Sequence, residues 1–189
     1  MNRQGVLLLM LCAQLSLAAE IEGVKLEERV RVGSADLQLN GAGIRTRLFF
    51  KVYVGALYLP ERKSSATEVL ALRGARRVSM TLLRDLTARQ IIDAFEEGFR
   101  ANSSEAELAA LKDQLGAFIA AINEIGDAKE RTVITFDFLP ESGTRLSADG
   151  AARGKPVPGE DFYVALLKIW LGDRPVDSKL KKAMLGQGG

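Results

Sequence analysis

The 189-residue sequence contains no histidine and only one cysteine, Cys12. Without an imidazole there is no Ser-His-Asp triad, no Cys-His pair and no His-bearing zinc site. A lone thiol excludes a disulfide framework. Aromatic residues are scarce at 6%, with three tyrosines and one tryptophan. Neither sign of charge dominates: 26 Lys and Arg face 24 Asp and Glu, for a formal +2. So weak a field does not mark a nucleic-acid-binding surface. Beyond the N-terminus no run is long and apolar enough to span a bilayer. Chemistry is left to arginine, lysine, tyrosine, serine, threonine and carboxylates, and neither a metal nor a cofactor is expected.

What is present suits one soluble globular domain: 47% of residues are apolar and 26% charged. A chain of this size buries roughly two-thirds of its unfolded surface, enough for a core without staples. Residues 1–19 are expected to form a signal peptide. Arg3 supplies the positive start, VLLLMLCA over 6–13 the apolar run, and Ser16-Leu17-Ala18 the small residues before a cut after Ala18 or Ala19. Leu11 stands before Cys12 where lipid attachment would want a small residue. The expectation is an exported, periplasmic protein with no thiol and no membrane span after cleavage.

The amino half carries β periodicity. Residues 24–32 (VKLEERVRV) alternate, Gly33-Ser34 is a turn, and Leu37 and Leu39 continue the period. Asn40-Gly41-Ala42-Gly43 breaks it, and 44–59 (IRTRLFFKVYVGALYL) is the longest β-prone run, closed by Pro60. A short helix is expected over 67–72 and a strand over 77–83. Thr87-Ala88-Arg89-Gln90 and Ser104-Glu105-Ala106-Glu107 are capping boxes, each opening a helix; the second extends through Ile122 to Gly126. A strand over 132–139 meets a partner over 144–147. Residues 148–159, rich in glycine and proline, are expected as a mobile loop or a hairpin, and helices follow over 161–171 and 178–185. Strands, helices, a hairpin and further helices imply an α+β protein whose sheet carries helices on one face.

Arg45 and Arg47 are the candidate anion-binding groups. Glycines 41 and 43 would turn the backbone and place Arg45 at a strand's start, where a guanidinium can fork onto a carboxylate or phenolate. Period two puts Arg45, Arg47, Phe49, Lys51 and Tyr53 on one side. That side either faces an apolar space, where the cation needs an anionic partner, or leaves both arginines in solvent at a strand end. Tyr53, Tyr58 and Tyr163 are the phenols; each is either a ligand donor or an amphipathic residue at a core edge. Asp93, Glu96 and Glu97, with Arg89 and Arg100, read as a solvated helix face.

The segments Gly41-Ala42-Gly43-Ile44-Arg45 and Lys51-Val52-Tyr53-Val54-Gly55-Ala56-Leu57-Tyr58-Leu59 together resemble the chalcone isomerase family's Gly-x-Gly-x-Arg turn and following strand. Residues 80–90 (MTLLRDLTARQ) are similar to its strand-to-helix junction, and 162–172 with Val176 and 179–185 to its closing helix pair. The likeness covers residues 22–186. It implies an open-faced β-sandwich: a large antiparallel sheet with a helical layer on one face, enclosing an apolar cleft. Family enzymes add a phenolate to an enone within one molecule, without a cofactor; an arginine holds the oxyanion, while a threonine and a tyrosine position water or polarise the ketone. Arg45 matches that arginine. Tyr53 replaces the strand threonine, Ile91 the tyrosine after Gln90, and Gly98 an asparagine, while Tyr163 falls near the closing helix's serine or threonine. Non-enzymatic members bind fatty acids through the arginine. The resemblance therefore implies a non-catalytic site for a fatty acid or similar amphipathic anion, built on Arg45, Arg47, Tyr53 and Tyr163. Its alternatives are a chalcone–flavanone type intramolecular lyase using Arg45, Tyr53 and Tyr163, and a protein-interaction module with a closed cleft.

Overall fold

The structure, a computed structural model, describes residues 17–188. The expected signal peptide lies outside the described residues up to position 16, and the expected cut falls within the first strand. Strands β1 (Leu17–Ile21) and β2 (Val24–Glu27) form a small antiparallel hairpin. Strands β3 (Arg29–Val32), β4 (Ala35–Arg47), β5 (Phe50–Leu59), β6 (Arg76–Leu82), β7 (Val133–Leu139), β8 (Gly143–Ala148) and β9 (Ala151–Val157) make a seven-stranded antiparallel sheet in strict chain order. Helix α1 (Ala66–Ala71) precedes β6. Helices α2 (Ala88–Asn102), α3 (Glu105–Ala110) and α4 (Lys112–Ile125) sit between β6 and β7, and α5 (Glu160–Leu171) and α6 (Ser178–Met184) close the chain.

Two apolar clusters hold these layers together. The larger lies between the sheet and the helices. Helix α5 is apolar around most of its girth and correspondingly buried, packing on α1, α2, α6 and β8. Phe95, Phe118, Phe136 and Trp170 meet largely edge to face, with centroids 5.2–6.0 Å apart. Each such ring buries surface worth about 1.5–3 kcal/mol. The smaller cluster lies on the opposite face, where Val24 and Leu26 of β2 cover Leu37, Leu39, Val54, Ala56 and Tyr58. An α+β open-faced sandwich results, as expected.

Several boundaries differ from the sequence reading. Residues 24–32 are two strands in different sheets. Asn40-Gly41-Ala42-Gly43 is no turn; it lies inside β4, which bulges between Leu39 and Gly41 and continues to Arg47. The glycines are needed for a close approach: a Cβ on Gly41 would collide with the Ala183 carbonyl, and one on Gly43 would lie 2.6 Å from the Ala183 Cβ. Helix α6 thus rests directly on β4. Asn40 fastens it, its amide donating to Met184 O at 2.8 Å and to Lys63 O at 2.9 Å.

The run 44–59 folds back on itself at Leu48-Phe49, so Arg45 sits near the end of a strand and pairs across the hairpin with Tyr53. The side shared by Arg45, Arg47, Phe49, Lys51 and Tyr53 is therefore divided by a turn. Of 148–159, the hairpin alternative is observed, turning at Asp149 and Gly150 with β9 against α4. The second long helix breaks at Leu111. Both capping boxes form as read.

Candidate functional site

Where β4, β5 and β6 meet α2 and α5, the helices leave a cavity of about 180 Å³. Its interior is apolar: Val52, Met80, Ile91, Phe95, Ile169 and Trp170 are all buried. Its rim is formed by Arg47, Leu48, Phe50, Arg84 and Gln90, all exposed. Arg45 and Tyr53 stand between the two. No carboxylate is among the lining residues, although three arginines are.

Arg45 brings its guanidinium carbon within 5.6 Å of the Tyr53 ring centroid, over the ring face. Its Nε is buried with no hydrogen-bond partner among the described residues. A buried donor left unsatisfied costs about 1–3 kcal/mol, which a ligand acceptor would recover. Tyr53 is buried on β5, and its hydroxyl accepts a 2.8 Å hydrogen bond from Trp170 Nε1 on α5. That bond occupies a lone pair and leaves the phenolic proton for another acceptor. Burial pushes Tyr53 up to about 12 against the pull of Arg45, so at neutral pH the phenol is a donor and not a base. Asp177 carries charge nearby, but its carboxylate accepts from the amides of Thr46, Lys179 and Leu180.

The four expected site residues therefore separate. Arg45, Arg47 and Tyr53 line one cavity. Tyr163 is fully buried elsewhere: its hydroxyl donates to Phe136 O at 3.2 Å and its ring stacks on Phe138. It belongs to a second buried arrangement, in which the Arg76 guanidinium lies within 5.0 Å of the Phe138 centroid and 5.2 Å of that of Tyr163. Arg76 is closed off from solvent and donates to Leu72 O, Gly74 O and Glu160 Oε1. Every polar atom there has an internal partner, and the arrangement serves packing.

Trp170, Arg84 and Gln90 also line the cavity without having been singled out for it. Trp170 read as a core former and Gln90 as half of a capping box, and each performs that task too. Ile91 and Gly98 give the site no polar group. Gly98 instead lets α5 approach, since a Cβ there would lie 2.8 Å from Ile169 Cγ2. Among the described residues no three metal-ligating side chains gather, and no helix is long and apolar enough to cross a membrane.

Comparison with known proteins agrees with this architecture. No curated protein sequence matches significantly. Among solved structures, the fatty-acid-binding protein of Arabidopsis thaliana superposes with a TM-score of 0.67 at 14% identity, over 86% of this chain and 92% of that one. Such an identity speaks for the fold. The family model described as chalcone isomerase-like matches residues 18–186. With nearly all of the described chain inside that match, the protein is a member of the chalcone isomerase-like family.

Proposed function

We propose that the protein binds an amphipathic carboxylate of the fatty-acid class, without catalysis, at the Arg45–Tyr53 cavity, and that it does so after export to the periplasm. One observation carries the reading: a buried, unpartnered Arg45 Nε beside a phenol with a proton to donate, above a pocket lined by apolar side chains. A carboxylate would accept from both, and its tail would replace water against Met80, Ile91 and Phe95. The fold shared with a plant fatty-acid-binding protein supports the ligand class.

The lining argues for a carrier over a lyase. Ile91 offers no donor to a developing enolate, whereas a carboxylate asks only for the Arg45 fork and an apolar wall. Pockets that enclose a whole small ligand run from roughly 300 to 1,000 Å³. At about 180 Å³ this one would take the head and first part of a chain, the remainder lying along Leu48 and Phe50 at the rim. The interaction-module reading needed Arg45 paired inside a closed cleft, and among the described residues no carboxylate lines the cavity.

Trp170, the sole tryptophan, reports on the site directly. Titration with fatty acids of increasing length should change its emission saturably, and native mass spectrometry should show a one-to-one adduct. Arg45→Ala should weaken binding by about 2 kcal/mol, roughly thirtyfold. Bare protein at all ligand concentrations would overturn the proposal. Chalcone absorbance decaying faster than in buffer, and reverting in Arg45→Ala, would restore the lyase. Export predicts a secreted form whose N-terminal residue is Ala19 or Glu20.

A further inference from the structure

The hairpin joining β4 to β5 ends in a turn that its own chemistry disfavours. Two residues, Leu48 and Phe49, make the connection, since Arg47 pairs with Phe50 across it. Two-residue hairpins ask for Asn-Gly, Asp-Gly or Gly at positions of positive φ. The same molecule obeys that rule at its other end, where Asp149 (φ 48°) and Gly150 (φ 78°) join β8 to β9. At the β4–β5 tip a leucine is held at φ 56°, a conformation uncommon for a bulky side chain. Leu48 is 83% exposed, Phe49 95% and Phe50 58%. Neither folding nor solubility gains from three large apolar side chains at an exposed turn, and a local rule broken without compensation points to function.

Two arginines stand beside the tip, and neither has an ion pair among the described residues. Arg47 and Arg84 flank it, and the Arg84 guanidinium lies 5.0 Å from the Phe50 centroid. Lys51 stands on the far strand, paired with Glu22 at 2.7 Å. Apolar and aromatic side chains flanked by arginines are the composition of surfaces that enter the headgroup region of anionic bilayers. Three side chains on one turn are a small wedge, far short of the roughly 800 Å² per partner that a stable protein interface buries. The tip is also continuous with the site: Leu48 and Phe50 belong to the cavity rim. Whatever phase receives Phe49 is held against the cavity's opening.

We infer that the Leu48-Phe49-Phe50 tip inserts into the surface of an anionic phospholipid bilayer, so that the cavity exchanges its ligand with the membrane without passage through water. This partner rests on the carrier reading above. Its test is sedimentation with phosphatidylglycerol–phosphatidylcholine vesicles, beside dissolved fatty-acid uptake read from Trp170. Phe49 does not line the cavity and touches solvent on nearly every side, so Phe49→Ser should fold and take up dissolved ligand as the wild type does. Wild type should bind the mixed vesicles, bind pure phosphatidylcholine much less, and release as salt rises. Phe49→Ser should bind the mixed vesicles at least about tenfold more weakly. In Phe49→Trp, emission from position 49 should shift to the blue on vesicles. Wild type that takes up dissolved fatty acid but ignores anionic vesicles would overturn the membrane inference alone. So would equal vesicle binding by Phe49→Ser, or a dimer that Phe49→Ser dissociates, which would assign the tip to a second copy. Failure of dissolved uptake in wild type would instead remove the carrier reading.

Discussion

Tyr53 has two neighbours that define what it can do. Trp170 Nε1 donates to its oxygen, and Arg45 lies over its ring. Tyr53→Phe therefore removes a ligand donor and also strands a buried indole N–H. The stability loss should be about 1–3 kcal/mol in urea unfolding, with a weaker ligand affinity measured separately on the folded protein. Unchanged stability would mean that the indole finds another acceptor. Arg45 and Tyr53 were both recognisable in the sequence because period two and a glycine-flanked arginine are local signals. That they belong to one site was expected, but not that they pair across a hairpin, because the turn at Leu48-Phe49 carries no turn chemistry. Trp170 was likewise hidden, since one indole in an apolar helix reads as core, and its Nε1 acquires a role only once Tyr53 is placed 2.8 Å away. Tyr163 carried a similar signal to Tyr53, yet it is spent on Phe136 O and Arg76.

Among the elements, the contact of α6 with β4 is the most exacting. Gly41 and Gly43 face Ala183, so the side chain added in Gly41→Ala must push the helix off the strand. Overpacking of this kind costs about 1–3 kcal/mol or more, and the bond from Asn40 to Met184 O would be strained with it. Gly116 on the exposed face of α4 supplies the contrast, because nothing lies within 4 Å of an added Cβ. Gly116→Ala should gain up to about 1 kcal/mol from helix propensity alone. Thermal unfolding of the two variants should move in opposite directions. Helices with capping boxes were legible to the residue at their starts, because Thr87 and Ser104 each satisfy the backbone of the third residue on. The glycines of β4 misled for a physical reason. Glycine serves both tight turns and close approaches, and only the second partner, 140 residues away, distinguishes them.

Over the whole molecule, the buried phenols set the response to alkaline pH. Burial pushes Tyr53 and Tyr58 up to about 12 and raises Tyr163 as well. In the unfolded chain a phenol ionises near 10. The unfolded state therefore sheds phenolic protons first, so the phenols' contribution to stability is complete below about pH 10 and falls as pH rises from 10 through 12. Tyr53 alone should account for a loss of the order of 2–3 kcal/mol across that window. Phenolate absorbance should stay low in the folded protein until unfolding begins, then appear together with it; ionisation near pH 10 without unfolding would show the phenols to be accessible.

The strict chain order of the sheet also governs how the molecule is assembled. The pairs β3–β4, β4–β5, β7–β8 and β8–β9 are hairpins that can zip as local events, whereas β6 meets β7 only across α2, α3 and α4. The final turn of helix is different. It must travel back to a strand laid down near the beginning, bringing Val176 to the cavity wall and Leu180 onto Gly55. For the proposed carrier, the wall that closes the pocket is thus supplied by the last segment of the sequence, latched onto the first long ribbon.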